Sequence, residues 1–265
     1  MKHAKIKPKE NNMANHFVLL TGGSSGIGRA IAKSLILNGA NVGIISRRDP
    51  NSWEDGPPKI WDPQKNWLKL DINDTDATKR SIRKWLRKVD FKLNTVIHCA
   101  VSYGYGSRHP LIKTSLDEWD EIFSTNVRAQ FVIIREVLPT LKKQSKSLIL
   151  GITSDVAFKP GPGRIAYAAS KAASHSLFSS LSEELKGSNI VAVELLPART
   201  VTTSGIRKRR PIAFDFSSYY SPQIFVKPVV SIVKSFGLGL RENLFIIDQV
   251  GINPVSFVLK ITRHD

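Results

Sequence analysis

At 265 residues the chain is long enough for one sizeable core, and an ordinary hydrophobic fraction of 42% points to a single globular domain. Lysine and arginine number 39 against 22 acidic residues, a net charge of +17 that favours solubility and attracts anions without specifying a fold. The single cysteine, Cys99, excludes an intrachain disulfide and makes a reducing, cytoplasmic compartment the expectation, while no apolar run approaches the ~18 residues of a membrane span.

Residues 1–14 read as a disordered basic extension, and residues 15–265 as the domain. The opening MKHAKIKPKENN lacks the apolar core of a secretory signal. A short apolar strand at 17–20 runs into a glycine-rich turn and a helix at 27–38. Gly22, Gly26 and Gly28 let backbone approach a ligand closely, and the helix aims its N-terminal amides at a phosphate. After a strand at 41–46 come Pro50, Pro57, Pro58 and Pro63. Each would cost ~3 kcal/mol in a helix interior, so an irregular loop is expected, with Trp53 or Trp61 covering the sheet. A strand at 67–71, a helix at 76–88 and a strand at 95–99 follow. His98 and Cys99 close that last strand; they read as a satisfied core histidine and a small buried apolar residue. Ser115 and Glu118 form a capping box at the start of a helix over 115–141. A strand at 147–152, a helix at 165–186 stopped by Gly187, a strand at 190–196, a helix at about 228–236 and a strand at 243–248 complete the order. Alternating strands and helices with short turns imply an α/β fold: a doubly wound parallel sheet in a Rossmann-type three-layer sandwich.

One constellation carries chemistry. Ser154 follows an apolar strand, Tyr167 lies thirteen residues on, and Lys171 four residues after that. Positions i and i+4 share a helix face, so Tyr167 and Lys171 point into one space. An ammonium beside a phenol favours the phenolate and lowers a pKa that starts near ~10. With Ser154, the pair can polarise and protonate a ketone oxygen.

The turn Thr21-Gly22-Gly23-Ser24-Ser25-Gly26-Ile27-Gly28 together with Ser154, Tyr167 and Lys171 resembles the short-chain dehydrogenases/reductases in their single-domain form. The likeness runs from about Phe17 to about Thr202 and includes Asn126 as the active-site asparagine and Asp71 as the aspartate near the adenine. It implies an oxidoreductase moving hydride between a nicotinamide and a carbonyl or alcohol. Tyr167 would be the general acid, and Lys171 would hold the nicotinamide ribose and lower the tyrosine pKa. Ser154 would bond the oxyanion, and Asn126 would hold a relay water. The dinucleotide would meet Thr21, Gly22, Ser24, Ser25, Gly26, Ile27, Gly28, Ser46, Arg47, Arg48, Asp71, Ala100, Thr200 and Thr202 as well as Tyr167 and Lys171. No metal is implied.

The residue eighteen after Gly28 selects the cofactor: it is Ser46, followed by Arg47 and Arg48. Two guanidiniums without a carboxylate suit a 2′-phosphate, so NADP(H) is expected over NAD(H). The chain departs from the family at His98-Cys99-Ala100-Val101, where a glycine is replaced, and at Pro197-Ala198-Arg199-Thr200-Val201-Thr202. Val101 is expected to push its loop away from the adenine ribose. Tyr103, Tyr105, Phe158, Phe214 and Phe216 are candidate pocket walls. The run Arg207, Lys208, Arg209, Arg210 reads either as a solvated surface or as attraction for an anionic substrate or carrier. No aromatic-interleaved RNA motif accompanies it, so nucleic acid is not an expected partner. Phe131, Ile134, Leu138, Phe178 and Leu181 read as an assembly face, and the resemblance implies a homodimer or homotetramer. The rival reading is a non-catalytic dinucleotide-binding regulator or scaffold.

Overall fold

A computed structural model describes residues 13–106 and 108–255, so the basic extension at 1–12 lies outside the described residues. Met13, which the expected extension included, is fully buried in the core.

Eight strands form one sheet in the order β3-β2-β1-β4-β5-β6-β7-β8. They are β1 Phe17–Thr21, β2 Asn41–Ser46, β3 Trp67–Lys69, β4 Thr95–His98, β5 Ser147–Ile152, β6 Ile190–Pro197, β7 Leu244–Ile247 and β8 Ile252–Pro254. All pair in parallel except β7 with β8, an antiparallel edge the sequence pattern did not reveal. Alternating residues feed two cores, one on each face. Val18, Leu20, Val42 and Ile44 point into the first, with α1 (Gly26–Leu37) and α7 (Val226–Ser235). Leu19 and Ile45 point into the second, with α3 (Thr75–Lys88), α5 (Ala129–Lys142) and α6 (Ile165–Glu184). This is the three-layer sandwich expected of apolar parallel strands covered on both faces.

The proline-rich segment is irregular apart from one turn of helix, α2 (Pro63–Asn66), and a 3-10 turn. Both tryptophans cover the sheet there: Trp53 and Trp61 stack at 6.4 Å, and Trp61 Nε1 donates to the Val42 carbonyl at 2.7 Å. The helix expected over 115–141 is interrupted. α4 (Leu116–Phe123) passes through a π-turn at Ser124–Arg128 before α5 begins. Ser115 caps α4 by accepting from Glu118 N at 3.1 Å. The capping box is only half made, because the Glu118 carboxylate turns to His109 and Tyr105 N.

Two of the five residues read as an assembly face belong to the core: Phe178 is 1% exposed and Ile134 6%. Leu138 and Leu181 pack partly against it, and Phe131 is half exposed. Phe178 fastens α6 to the sheet, its ring lying where a side chain at Gly151 of β5 would stand. Phe178→Ala should cost ~3–5 kcal/mol in urea unfolding; a loss under 1 kcal/mol would contradict this anchoring.

Candidate active site

The sheet order reverses between β1 and β4, where two loops diverge and leave a crevice at the carboxyl ends of the strands. The glycine-rich turn fills one side. Gly22 has φ +74°, and a Cβ there would come within 2.7 Å of Ala100 N; a Cβ on Gly28 would come within 2.4 Å of Gly22 O. These close approaches require glycine. Thr21 ties the turn to the loop after β4 by accepting from Cys99 N and Ala100 N, both at 3.2 Å. These bonds hold the loop after β4 against the glycine turn, one residue before Val101. Val101 packs beside Tyr103 against Tyr167 and Val156.

A groove of about 620 Å³ runs over this turn. Gly22, Ser24, Ser25, Gly26, Ile27, Gly28, Ser46, Arg47, Arg48, Asp71 and Ala100 all line it. Arg48 donates to Ser25 Oγ at 2.7 Å, and Arg47 meets Asp71 at 3.5 Å. The Ser46 hydroxyl turns back, donating to Arg48 O at 2.8 Å and accepting from Trp67 Nε1 at 3.1 Å. Both arginines are exposed, whereas Ser46 is buried.

A smaller cavity of about 190 Å³ adjoins it, and Ile27, Cys99, Val101, Tyr103, Thr203 and Arg209 line both. Ser154, Tyr167, Lys171 and Thr200 line this cavity. Thr21, Asn126 and Thr202 line neither. Thr202 N donates to Tyr220 O at 2.8 Å, and its neighbour Thr203 stands between the cavities. Asn126 is 2% exposed. Its amide clamps Ser102, accepting from Ser102 N at 2.8 Å and donating to Ser102 O at 2.9 Å, and also donates to Ser170 Oγ at 2.9 Å. Its side chain holds the loop after β4, and both amide protons are used. The π-turn that carries it displaces backbone carbonyls from the regular ladder.

Tyr167 is buried, with its ring 5.0 Å from that of Tyr103. Burial and then Tyr103 hold its phenol well above the ordinary tyrosine range, while Ser154 and Arg164 pull the other way. The expected lowering by Lys171 is not found. Lys171 donates to the Ile152 carbonyl at 2.9 Å, and burial depresses its own pKa to about 8. The charged group nearest in effect to Lys171 is Glu194, which pairs with His175 at 2.5 Å. The Ser154 hydroxyl donates to Asp155 Oδ1 at 2.9 Å and must rotate away to serve a developing oxyanion.

His98 is only half satisfied. Nδ1 pairs with Thr21 Oγ1 at 3.1 Å, but the buried Nε2 has no partner among the described residues. Burial and the Lys171 charge press its pKa down to about 3, which leaves it a neutral ring and a feeble base. Burial pushes the Cys99 thiol up to about 12, so it is no nucleophile. Among the predicted walls, Tyr103 and Tyr105 line a cavity, whereas Phe158, Phe214 and Phe216 line neither.

The sequence profile described as short chain dehydrogenase matches residues 16–211. The chain belongs to the short-chain dehydrogenase family. A short chain dehydrogenase of Pseudocercospora fijiensis is 33% identical over 190 residues, 71% of this chain and 60% of that relative's length. A short chain dehydrogenase from Burkholderia cenocepacia, solved in complex with NADP, superposes with a TM-score of 0.73 at 23% identity, covering 88% of this chain and 96% of the other. A 3-ketoacyl-(acyl-carrier-protein) reductase from Brucella melitensis, complexed with NADH, gives 0.74 at 21% identity, again over 88% and 96%. At those identities the two structures speak for the fold of this short-chain dehydrogenase. Arg108 and Arg164, which also line the cavity, escaped sequence reasoning because nothing local separates them from solvated arginines.

Proposed function

We propose that this short-chain dehydrogenase is an NADP(H)-dependent oxidoreductase acting on a carbonyl or alcohol in the smaller cavity. One observation carries the reading: a buried, protonated Tyr167 faces Ser154 and stands one helical turn from Lys171, in a cavity that opens onto the glycine-rich groove. The groove fits a dinucleotide, since its backbone cradle tolerates no Cβ at Gly22 or Gly28. Its N-terminal helix amides suit a pyrophosphate. When bound, the nicotinamide supplies or accepts the hydride. Tyr167 delivers a proton to the carbonyl oxygen, and Ser154, once rotated from Asp155, donates to the same oxygen. Lys171 places a positive charge beneath the site and is available to hold a ribose hydroxyl. In the reverse direction Tyr167 takes the proton of an alcohol.

NADP(H) is the favoured dinucleotide because Arg47 and Arg48 flank the end of β2 and the nearby carboxylate, Asp71, is already paired to Arg47. Arg47 and Asp71 are both substantially exposed, so that pair yields readily to a phosphate. Arg48→Ala and Arg47→Ala should each weaken NADPH about tenfold to a hundredfold while sparing NADH. Equal losses for both cofactors, measured by fluorescence titration, would remove the phosphate assignment.

The general test is NADPH oxidation across a panel of ketones and aldehydes. Tight NADPH binding with no turnover on any of them would instead indicate a dinucleotide-binding regulator. A reducing, cytoplasmic setting and a homodimer or homotetramer belong to the same reading. Among the described residues no helix is long and apolar enough to cross a membrane. A monomer in sedimentation at micromolar concentration would remove the assembly.

A further inference from the structure

The smaller cavity is lined by five arginines: Arg108, Arg164, Arg199, Arg209 and Arg210. Three have occupations. Arg209 donates to Gly205 O at 2.8 Å and Gly104 O at 2.6 Å, and lies over the Tyr103 ring. Arg210 donates to the Tyr219 hydroxyl at 3.0 Å and lies over Phe214. Arg199 lies over Tyr220. The side chains of Arg108 and Arg164 make no hydrogen bond or ion pair to any described residue, and Arg164 Nε is buried without a partner.

We propose that the substrate is a small carbonyl or hydroxy compound bearing an anionic group, and that Arg108 and Arg164 receive that group. This rests on the carbonyl/alcohol reading of the same site. Arg108 is exposed at the cavity and Arg164 half-buried, and two guanidiniums lining one cavity repel unless something negative lies near them. The local carboxylates do not fill that role. Glu118 engages His109 Nε2 at 2.9 Å and Tyr105 N at 2.9 Å, and Asp155 accepts from Ser154. Burial and then the charges of Arg164 and Arg210 hold Arg108 below its usual range, which places these cations within electrostatic reach of one another. The two loops touch: a Cβ on Gly163 would lie 3.0 Å from Arg108 Cβ.

The cavity also bears on the substrate's size. Arg164 immediately precedes the first residue of α6, three residues before Tyr167, and its charge acts on the phenol. An anion held by Arg164 therefore lies close to a carbonyl held by Tyr167. With about 190 Å³ between Arg164 and Tyr167 and the adjoining groove, a short oxo acid or hydroxy acid fits. Within the Arg207–Arg210 run the roles divide. Arg209 and Arg210 line the cavity, whereas Arg207 lines neither cavity and stacks over Phe216 at 4.6 Å.

The test uses the full chain saturated with NADP and malonate as a non-reacting dicarboxylate, titrated by calorimetry. Initial rates with acetoacetate and ethyl acetoacetate run in parallel. Wild type should bind malonate and should reduce the free acid with a lower KM than the ester. Arg164→Gln and Arg108→Gln should each weaken malonate about tenfold or more, as for loss of a charge-assisted hydrogen bond. Arg164→Lys should retain part of the binding, and Arg207→Gln should change nothing. NADP affinity unchanged in each variant shows that it is folded. No malonate binding by wild type, or binding unaltered by both glutamine variants, overturns the proposal. Malonate binding that depends on Arg164 without turnover of any ketone leaves the anion site standing and removes the oxidoreductase reading. Reduction of the ester as well as the acid, with no malonate binding, does the reverse.

Discussion

Tyr167→Phe should lower carbonyl reduction by ~10²–10⁴-fold and leave NADPH binding nearly unchanged. The substitution removes one hydroxyl and keeps the ring that packs on Tyr103 at 5.0 Å, so the cavity wall and α6 remain in place. Tyr167 lines the smaller cavity and not the glycine-rich groove, which separates proton delivery from dinucleotide affinity. The proton is available throughout the neutral range because burial and Tyr103 hold the phenol well above its ordinary pKa. Ser154 and Arg164 oppose that shift, and both stabilise the phenolate as the proton leaves. A bound anion on Arg164 would reduce that help, which makes Ser154 the more dependable partner. Turnover by Tyr167→Phe above a tenth of wild type would remove the tyrosine from the chemistry.

The positions of the first seven strands along the chain were legible because most are apolar runs beside a glycine, an asparagine or a proline-rich turn. The antiparallel β8 was not, since Ile252–Pro254 is three residues long with two of them exposed. The π-turn at Ser124–Arg128 left no signal either, because its apolar spacing passes for that of a continuous helix. At the site, spacing suggested Ser154, Tyr167 and Lys171, and the glycine-rich turn with the family resemblance added weight to them and supplied the eleven groove positions. What failed was electrostatics. The i, i+4 spacing of Tyr167 and Lys171 suggested a phenol lowered by an ammonium. Burial, which no local pattern reports, outweighs that pairing for both groups and moves them apart. The side-chain bonds of Asn126 were not legible for a similar reason: Ser102 and Ser170 reach its amide from distant segments. Arg108 and Arg164 come together only in space, where Gly163 packs against Arg108.

The displaced lysine pKa has a consequence for activity. Initial rates of reduction should fall as pH rises through about 8, where the buried Lys171 loses its charge. The groups facing it are His98, neutral with a pKa near 3, Cys99, with its thiol up at about 12, and Glu194, itself bonded to His175. Below about 8 the ammonium is present and can hold a ribose hydroxyl and support proton transfer at Tyr167. Above it the site loses that charge. Unfolding does not explain the loss, because the linkage runs the other way. The folded pKa of about 8 lies below the ordinary lysine value of 10.5, so between those limits the unfolded chain holds more proton than the folded one. This group's contribution to stability therefore rises with pH across the window in which activity declines. A pH profile of kcat/KM from 6 to 10, read beside urea unfolding at the same values, should show the two moving in opposite directions after allowance for other groups. Lys171→Met should cut the rate at pH 7 by ~10²-fold or more and abolish the step near pH 8. If the step persists in Lys171→Met, another group titrates there and Lys171 is a structural strut for the Ile152 carbonyl.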